Sequence, residues 1–262
     1  MMQIFNMNQA KEWNNLVQSF TNYDVYYLSG YVKAFQIHGD GEPQLFYYDE
    51  KGLRGIYVYM KRKTAIEGVF DSITPYGYGG FLLEGDTSEE NVKALWAAYV
   101  DRMKEENIVD NFVRYHPVLA NAVPMKTCSD VIDLGKTVAM DLTSEEVIWK
   151  NIHSKNRNMI RKAEKNGIVI KHGQGLELFD DFIKIYNATM DKDNAEAYYY
   201  FKPEFYKSIH EDLKDNYEMF WAEYEGKIIA MSIMIFANGR LNYHLSGSDL
   251  QYRNLAPSNL LL

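Results

Sequence analysis

The densest concentration of one charge sign in this sequence lies between Lys150 and Lys171. Lys150, Lys155, Arg157, Arg161, Lys162, Lys165 and Lys171 stand there against a single acid, Glu164. The protein as a whole has 28 Lys and Arg against 36 Asp and Glu, a formal charge of −8, so the segment is a local inversion. Arg157, Arg161 and Lys165 recur every four residues, which places them on one stripe of a helix. Each pair of like-charged neighbours on such a stripe costs roughly 0.2–0.5 kcal/mol unless an anion offsets it. A guanidinium presents a planar fork that matches two phosphate oxygens. The stripe therefore points to a phosphate-bearing ligand; its bland alternative is a solvated helix face. Met159, Ile160 and Ala163 are spaced to seat the helix while the cations face outward.

A second constellation is Asp71-Ser72-Ile73-Thr74-Pro75-Tyr76-Gly77-Tyr78-Gly79-Gly80. Tyr76 and Tyr78 alternate with glycines, so the backbone can approach a ligand while the rings stack or the hydroxyls donate. The alternative is a Gly-rich corner between two strands. Tyrosine is abundant throughout, 21 residues against 13 Phe and 4 Trp. An apolar ring with a polar tip suits wet stacking surfaces as well as half-buried sheets. A third stretch, Arg253-Asn254-Leu255-Ala256-Pro257-Ser258-Asn259, follows a strand and precedes a helix, where backbone N–H groups can cradle phosphate. Ala256 stands where glycine is wanted and Pro257 removes a donor, so the cradle is degenerate.

Other chemistries find no footing. The six histidines (38, 116, 153, 172, 210 and 244) lack metal-ligand spacing, so no metal is expected. No nucleophile elbow, Walker loop or dinucleotide fingerprint occurs, so no cofactor is expected, and no catalytic base can be named. Lone Cys128 excludes an intrachain disulfide and a multi-cysteine zinc site and has no evident activating partner. These features, with no visible secretory signal, predict a reducing, cytoplasmic setting. No apolar run approaches the ~20 residues that cross a bilayer. Global acidity argues against nonspecific nucleic-acid binding as the main task.

The elements that must position these residues follow from periodicity. At 262 residues and 47% hydrophobic composition, the chain is long enough for one large or two modest globular domains. Helices are expected near 8–19 and 28–37, then a hairpin of 44–48 and 53–61 around Asp49-Glu50-Lys51-Gly52. Thr87-x-x-Glu90 reads as a capping box for a helix running to about Glu106, followed by a strand over 108–115. Residues 117–137 read as irregular, with a boundary near 135–140. Thr143-x-x-Glu146 predicts a short helix, and Ser154 opens another that Gly167 stops. A strand at 168–171, helices near 177–190 and 203–214, and three strands at 217–224, 227–237 and 240–247 complete the order, with Asn238-Gly239 as a hairpin signal. A last helix begins near Ser258. Leu260-Leu261-Leu262 carries no C-cap, which predicts a further C-terminal piece beyond a helix cut after its first turn. The 240–247 strand is then expected to leave an open edge that invites an edge-mediated dimer.

Together, the Tyr-Gly stretch, the basic segment His153 to Gly167 and Asn242-Tyr243-His244-Leu245-Ser246-Gly247-Ser248 resemble the Fem family of peptidoglycan bridge-forming aminoacyltransferases, over about residues 30–262. The resemblance implies an α+β fold with mixed sheets and two GNAT-like domains, 1–137 and 138–262, the second incomplete at its end. It implies transfer of an amino acid from aminoacyl-tRNA to an amine on the stem peptide of a muramyl precursor, nucleotide- or lipid-linked, without stable membrane insertion. By the same resemblance, Lys33 and either Arg157 or Arg161 contact the precursor's diphosphate; Tyr76 and Tyr78, from their glycine-flanked pattern, are expected as further substrate contacts. Two alternatives keep the fold: an acyl-coenzyme A-dependent N-acyltransferase, and a non-catalytic glycan- or peptide-binding module.

Overall fold

The computed structural model describes residues 1–262, which divide into two compact units, Met1–Thr137 and Val138–Leu262. Both are mixed α+β structures.

In the first unit, strand β1 (Met2–Phe5) precedes helices α1 (Ala10–Gln18) and α2 (Ser29–His38). Strands β2 (Glu42–Glu50) and β3 (Leu53–Lys63) form the expected hairpin, with Lys51 and Gly52 both at positive φ. Strands β4 (Phe70–Ile73) and β5 (Leu82–Gly85), helix α3 (Glu89–Glu105) and strand β6 (Ile108–Phe112) follow. The sheet runs β1-β2-β3-β4-β6, with β5 also on β3. Leu53–Ile56 of β3 pair with β5 and Met60–Lys63 pair with β4, so the two partners splay apart beside residues 57–59. The Tyr-Gly stretch is the connection between β4 and β5. Only β4 and β6 run parallel.

Several local expectations are corrected here. Helix α3 is entered through Ser88 with no capping hydroxyl, so Thr87 does not form a capping box. Asp86 instead accepts the Ser88 N–H, at 3.0 Å. Strand β6 stops at Phe112 rather than reaching 115; beyond it a single bridge joins Gly79 and Tyr115. Strands β1, β4 and β5 go beyond the sequence expectation; each is only four residues long, too short for alternation to show.

The tyrosine excess is explained mainly by core packing, since eleven of the 21 tyrosines are buried. Tyr57 stacks on Phe81 at 4.5 Å between centroids, and Tyr99 meets the same ring edge-on at 5.2 Å. The hydroxyls stay satisfied where they reach a partner: Tyr57 donates to Asn111 Oδ1 at 2.8 Å.

In the second unit, helix α4 (Glu145–Asn151) leads to α5 (Ser154–Lys165), then strand β7 (Val169–Gly173) and helices α6 (Leu178–Lys192) and α7 (Pro203–Asp212). Strands β8 (Tyr217–Tyr224), β9 (Lys227–Ala237) and β10 (Arg240–Ser248) and a short helix α8 (Pro257–Leu261) complete it. The four-stranded antiparallel sheet has the order β10-β9-β8-β7. Ser144, not Thr143, caps α4, its hydroxyl accepting from the Val147 N–H at 3.2 Å. The capping register thus slips by one residue. Ala163 of α5 and Leu261 of α8 are buried with Ala222, Ile229 and Ala230 of β8 and β9. That burial seats the basic helix by its small apolar face.

Candidate functional site

The first unit holds the Tyr-Gly loop in a buried polar lattice. Asn121 donates to the Gly79 carbonyl at 2.8 Å and to the Tyr27 hydroxyl at 3.2 Å, and Tyr27 donates to the Gly80 carbonyl at 3.1 Å. Gly80 sits at φ +95°, and a Cβ there would fall 2.6 Å from the Tyr115 ring, so no larger residue fits. Beneath lies an Asp24–His116 pair, with Asp24 fully buried and His116 only 3% exposed. His116 Nδ1 accepts from the Val118 and Leu119 N–H groups at 3.2 and 3.3 Å. Those two donors assign the ring proton to Nε2, which donates to Asp24 Oδ2 at 3.0 Å. The other carboxylate oxygen accepts from the Val25 N–H at 2.6 Å. Burial, reinforced by the Asp24 charge, raises the Tyr26 and Tyr27 hydroxyl pKa values, so both stay protonated.

The aromatic rings of the loop are packed rather than open. Tyr76 stacks on Phe35 of α2 at 5.5 Å, and its carbonyl accepts from the Tyr31 hydroxyl at 2.6 Å. Tyr78 meets Tyr26 edge-on at 5.8 Å, and its hydroxyl shares a hydrogen bond with Thr137 at 3.1 Å. Both loop tyrosines remain half-exposed. Tyr31 and Phe35, one turn apart, form the α2 face that meets Tyr76. Half-buried Lys33 lies between them on α2.

In the second unit the two candidate arginines part ways. Arg157 Nη1 donates to the carbonyls of Ile152 at 2.7 Å, Trp149 at 3.1 Å and Lys150 at 3.4 Å. Those carbonyls close α4, which lacks helical donors for its last turn, so the Arg157 guanidinium caps the C-terminus of the neighbouring helix. Arg161 is exposed, its guanidinium 5.1 Å from the centre of the Trp149 ring. Cation–π contact of this kind steadies a cation without neutralising it. Of the seven cations in the run, Lys171 alone forms an ion pair, with Glu223 at 2.8 Å. Lys150, Lys155, Arg157, Arg161, Lys162 and Lys165 meet no carboxylate, the other ion pairs of this unit lying elsewhere.

The second unit also contains a cleft of about 200 Å³, lined by the hydroxyl-bearing residues Thr189, Tyr243, Ser246, Ser248 and Ser258, with Gly247, Leu261 and Leu262. Tyr243 and Ser246 are hydrogen-bonded to each other. Gly247 is indispensable: a Cβ would lie 2.7 Å from the Ile185 carbonyl oxygen and 2.8 Å from Tyr186 Cα, both backbone of α6. Between Tyr243 and Leu245 the β10 register slips at His244, a half-buried residue whose Nε2 is buried; burial lowers its pKa to about 3. Ala256 adopts the left-handed conformation (φ 59°, ψ 43°) that the degenerate loop would assign to glycine. Cys128 is half-buried, and burial raises its pKa, which makes it a poor nucleophile. No group of three or more His, Cys, Asp or Glu is arranged to hold a metal ion.

Asp24, His116, Asn121 and Thr189 escaped sequence reasoning, and Tyr243, Ser246, Ser248 and Ser258 lay in stretches it singled out without assigning their hydroxyls a cleft. Asp24 and His116 are 92 residues apart, and no local spacing links them.

Residues 150–262 match the family described as the acetyltransferase (GNAT) domain. That match falls within the second unit, which is thus similar to a GNAT domain. The whole chain is similar to the crystal structure of FemX, with a TM-score of 0.69 at 14% identity, covering 99% of this chain and 83% of that one. The protein thus has the FemX fold. It is also similar to the C-terminal domain of an Agrobacterium fabrum protein named for lysylphosphatidylglycerol synthesis, with a TM-score of 0.56, 13% identity and coverage of 98% and 73%. A conserved Bacteroides thetaiotaomicron protein of unknown function aligns with a TM-score of 0.53 at 11% identity, covering all of this chain and 88% of that one. No curated protein matches by sequence. The GNAT match and the FemX fold agree with the mixed α+β, Fem-like expectation. No helix is long and apolar enough to cross a membrane.

Proposed function

We propose that this protein is an acyltransferase that moves an aminoacyl group from aminoacyl-tRNA to an amine on the stem peptide of a muramyl precursor, in the cytoplasm. The observation that carries the reading is the α4–α5 corner, where six cations meet no carboxylate in a protein of net charge −8. A diphosphate handle supplies the missing negative charge. Arg161 is its direct contact, held over Trp149. Arg157 fixes the corner through the α4 carbonyls. Lys33, Tyr76 and Tyr78 are the proposed substrate contacts of the first unit.

The chemistry is aminolysis of an ester. An alkyl amine with a pKa near ~10.4 must lose a proton before attack, and a dehydrated site lowers that cost. The oxyanion that develops on the carbonyl needs donors, and the hydroxyls along β10 are of the right type. Isothermal calorimetry of the intact protein with UDP-muramyl pentapeptide tests the assignment. Arg161→Ala is expected to weaken binding by about 2–3 kcal/mol while leaving the melting temperature unchanged. Absence of binding by the unaltered protein overturns the acceptor assignment.

One observation favours a second donor. The hydroxyl-lined cleft lies between β10 and α8 within the GNAT match, which suits an acyl-coenzyme A; Ala256 and Pro257 argue against it. Protection of residues 253–258 from hydrogen exchange by coenzyme A, and not by aminoacyl-tRNA, would favour that donor. Turnover with either donor removes the binding-module alternative.

A further inference from the structure

Within the first unit, β5 pairs with β3 alone, through Leu53–Ile56, so its other side is a sheet edge. The Asp86 N–H donates to the Gly52 carbonyl at 2.9 Å, which fixes the phase of that ladder. Glu84 and Leu82 exchange hydrogen bonds with Arg54 and Ile56, and Leu83 between them turns its N–H and C=O to the free side. No other backbone group takes up either. Beside this edge lies a cavity of about 140 Å³, with Phe20, Phe81, Leu119 and Pro124 among its apolar walls and no Lys, Arg or His in its lining. Its one carboxylate, Glu84, is already engaged: it accepts from the Thr21 N–H and from the Arg54 guanidinium. The site thus offers one backbone donor, one backbone acceptor and an apolar hollow, with no charge left to answer. That combination matches an extended peptide unit carrying an apolar side chain. A cavity of about 150 Å³ holds a benzene ring, so a side chain of leucine or phenylalanine size fits.

We propose that the free edge of β5 binds an extended, uncharged stretch of another polypeptide by strand addition. One residue of that stretch exchanges both backbone hydrogen bonds with Leu83 and places an apolar side chain in the cavity. A residue directly opposite Leu83 in an antiparallel pair shares its face of the sheet, which sets where that side chain falls. The diphosphate-bearing precursor is not the source of the peptide, since no cation lines the site to meet its charge. All the walls come from residues 20–124 of the first unit and none from the α4–α5 corner, so the inference does not rest on the acyltransferase reading.

The test follows the amide resonances of the intact, isotope-labelled protein by NMR as N-acetyl-L-leucine N′-methylamide, a blocked single residue, is added. The Leu83 amide is expected to shift saturably, with a dissociation constant on the order of 1 mM, as suits so small a ligand. N-acetylglycine N′-methylamide, which lacks the side chain, is expected to bind at least about tenfold more weakly. The leucine probe methylated on its own amide nitrogen loses the donor to the Leu83 carbonyl and is expected to weaken by about fivefold or more. Thr87 is exposed and caps nothing, so Thr87→Phe fills the cavity from the surface and is expected to abolish binding with unchanged circular dichroism. Should that variant unfold, the contrast among the three probes on the unaltered protein decides. An unmoved Leu83 amide, equal binding of the glycine or N-methylated probe, binding retained in folded Thr87→Phe, or displacement of the leucine probe by UDP-muramyl pentapeptide each overturns the proposal.

Discussion

The two units treat charge in opposite ways. In the first, four cations around the sheet are answered: Arg54 by Glu84, Lys61 by Glu106, Arg62 by Asp71, and Arg102 by Glu105 and Glu106. Its most deeply buried carboxylate, Asp24, is enclosed with His116 and the Val25 N–H. In the second, the α4–α5 corner gathers six cations and answers none with a carboxylate. Internally neutralised charge holds a loop in place, whereas the unanswered charge is what the proposed diphosphate would meet. The comparison separates a structural use of polar groups from one that points outward.

The largest effect should come from opening the closed region. His116→Ala leaves the Asp24 carboxylate buried without its ring donor and also removes the acceptor for two backbone N–H groups. We expect a loss of about 3–5 kcal/mol in urea unfolding monitored by circular dichroism. A loss under about 1 kcal/mol would show that the lattice under the Tyr-Gly loop is not what fixes it.

A smaller effect comes from half-buried His244. His244 has a folded pKa of about 3, below the ordinary value of 6.5 that unfolding restores. The unfolded state therefore binds the extra proton first as pH falls. This contribution to stability is fully present above about pH 6.5 and is lost progressively between pH 6.5 and pH 3, by a few kcal/mol at most. Denaturation series at pH 7.5, 5.5 and 4 should show a shallower acid dependence for His244→Gln than for the unaltered protein. Equal slopes would mean the ring is hydrated in solution.

The smallest effect probes the open region. Lys155 lies in the first turn of α5, a turn with no acidic residue, where a cation opposes the helix dipole. Lys155→Gln should leave the fold intact and raise stability by about 0.5 kcal/mol at low ionic strength, with the gain fading in 1 M salt. Destabilisation would instead place Lys155 among the answered charges.

How far the sequence disclosed this division depended on range. The basic stripe, the Lys51-Gly52 hairpin and the order of elements from α5 to β10 were legible because each rests on residues within one turn or one strand of each other. The opposite roles of Arg157 and Arg161 were not. They share a helix stripe, and only the position of the α4 C-terminus shows that one is engaged by carbonyls. The α4 cap slipped by a single residue, since Ser144 offers the same chemistry as Thr143, whereas at α3 neither Thr87 nor Ser88 caps with its hydroxyl. Asp24 and His116 were invisible for a different reason: one precedes a 3₁₀ turn and the other follows a short strand, and only tertiary folding joins them. Tyrosine abundance misled in part, because a stacking ring and a core ring are the same residue.

The absent side chain at Gly247 has a mechanical consequence. With α6 backbone pressed to within 2.7–2.8 Å of where a Cβ would stand, and the Ser248 N–H fastened to Thr189 Oγ1 at 3.1 Å, strand and helix interlock as a single lever. Neither can slide along the other without a backbone collision. One wall of the hydroxyl cleft is therefore stiff, and it faces α8, which the chain enters through left-handed Ala256.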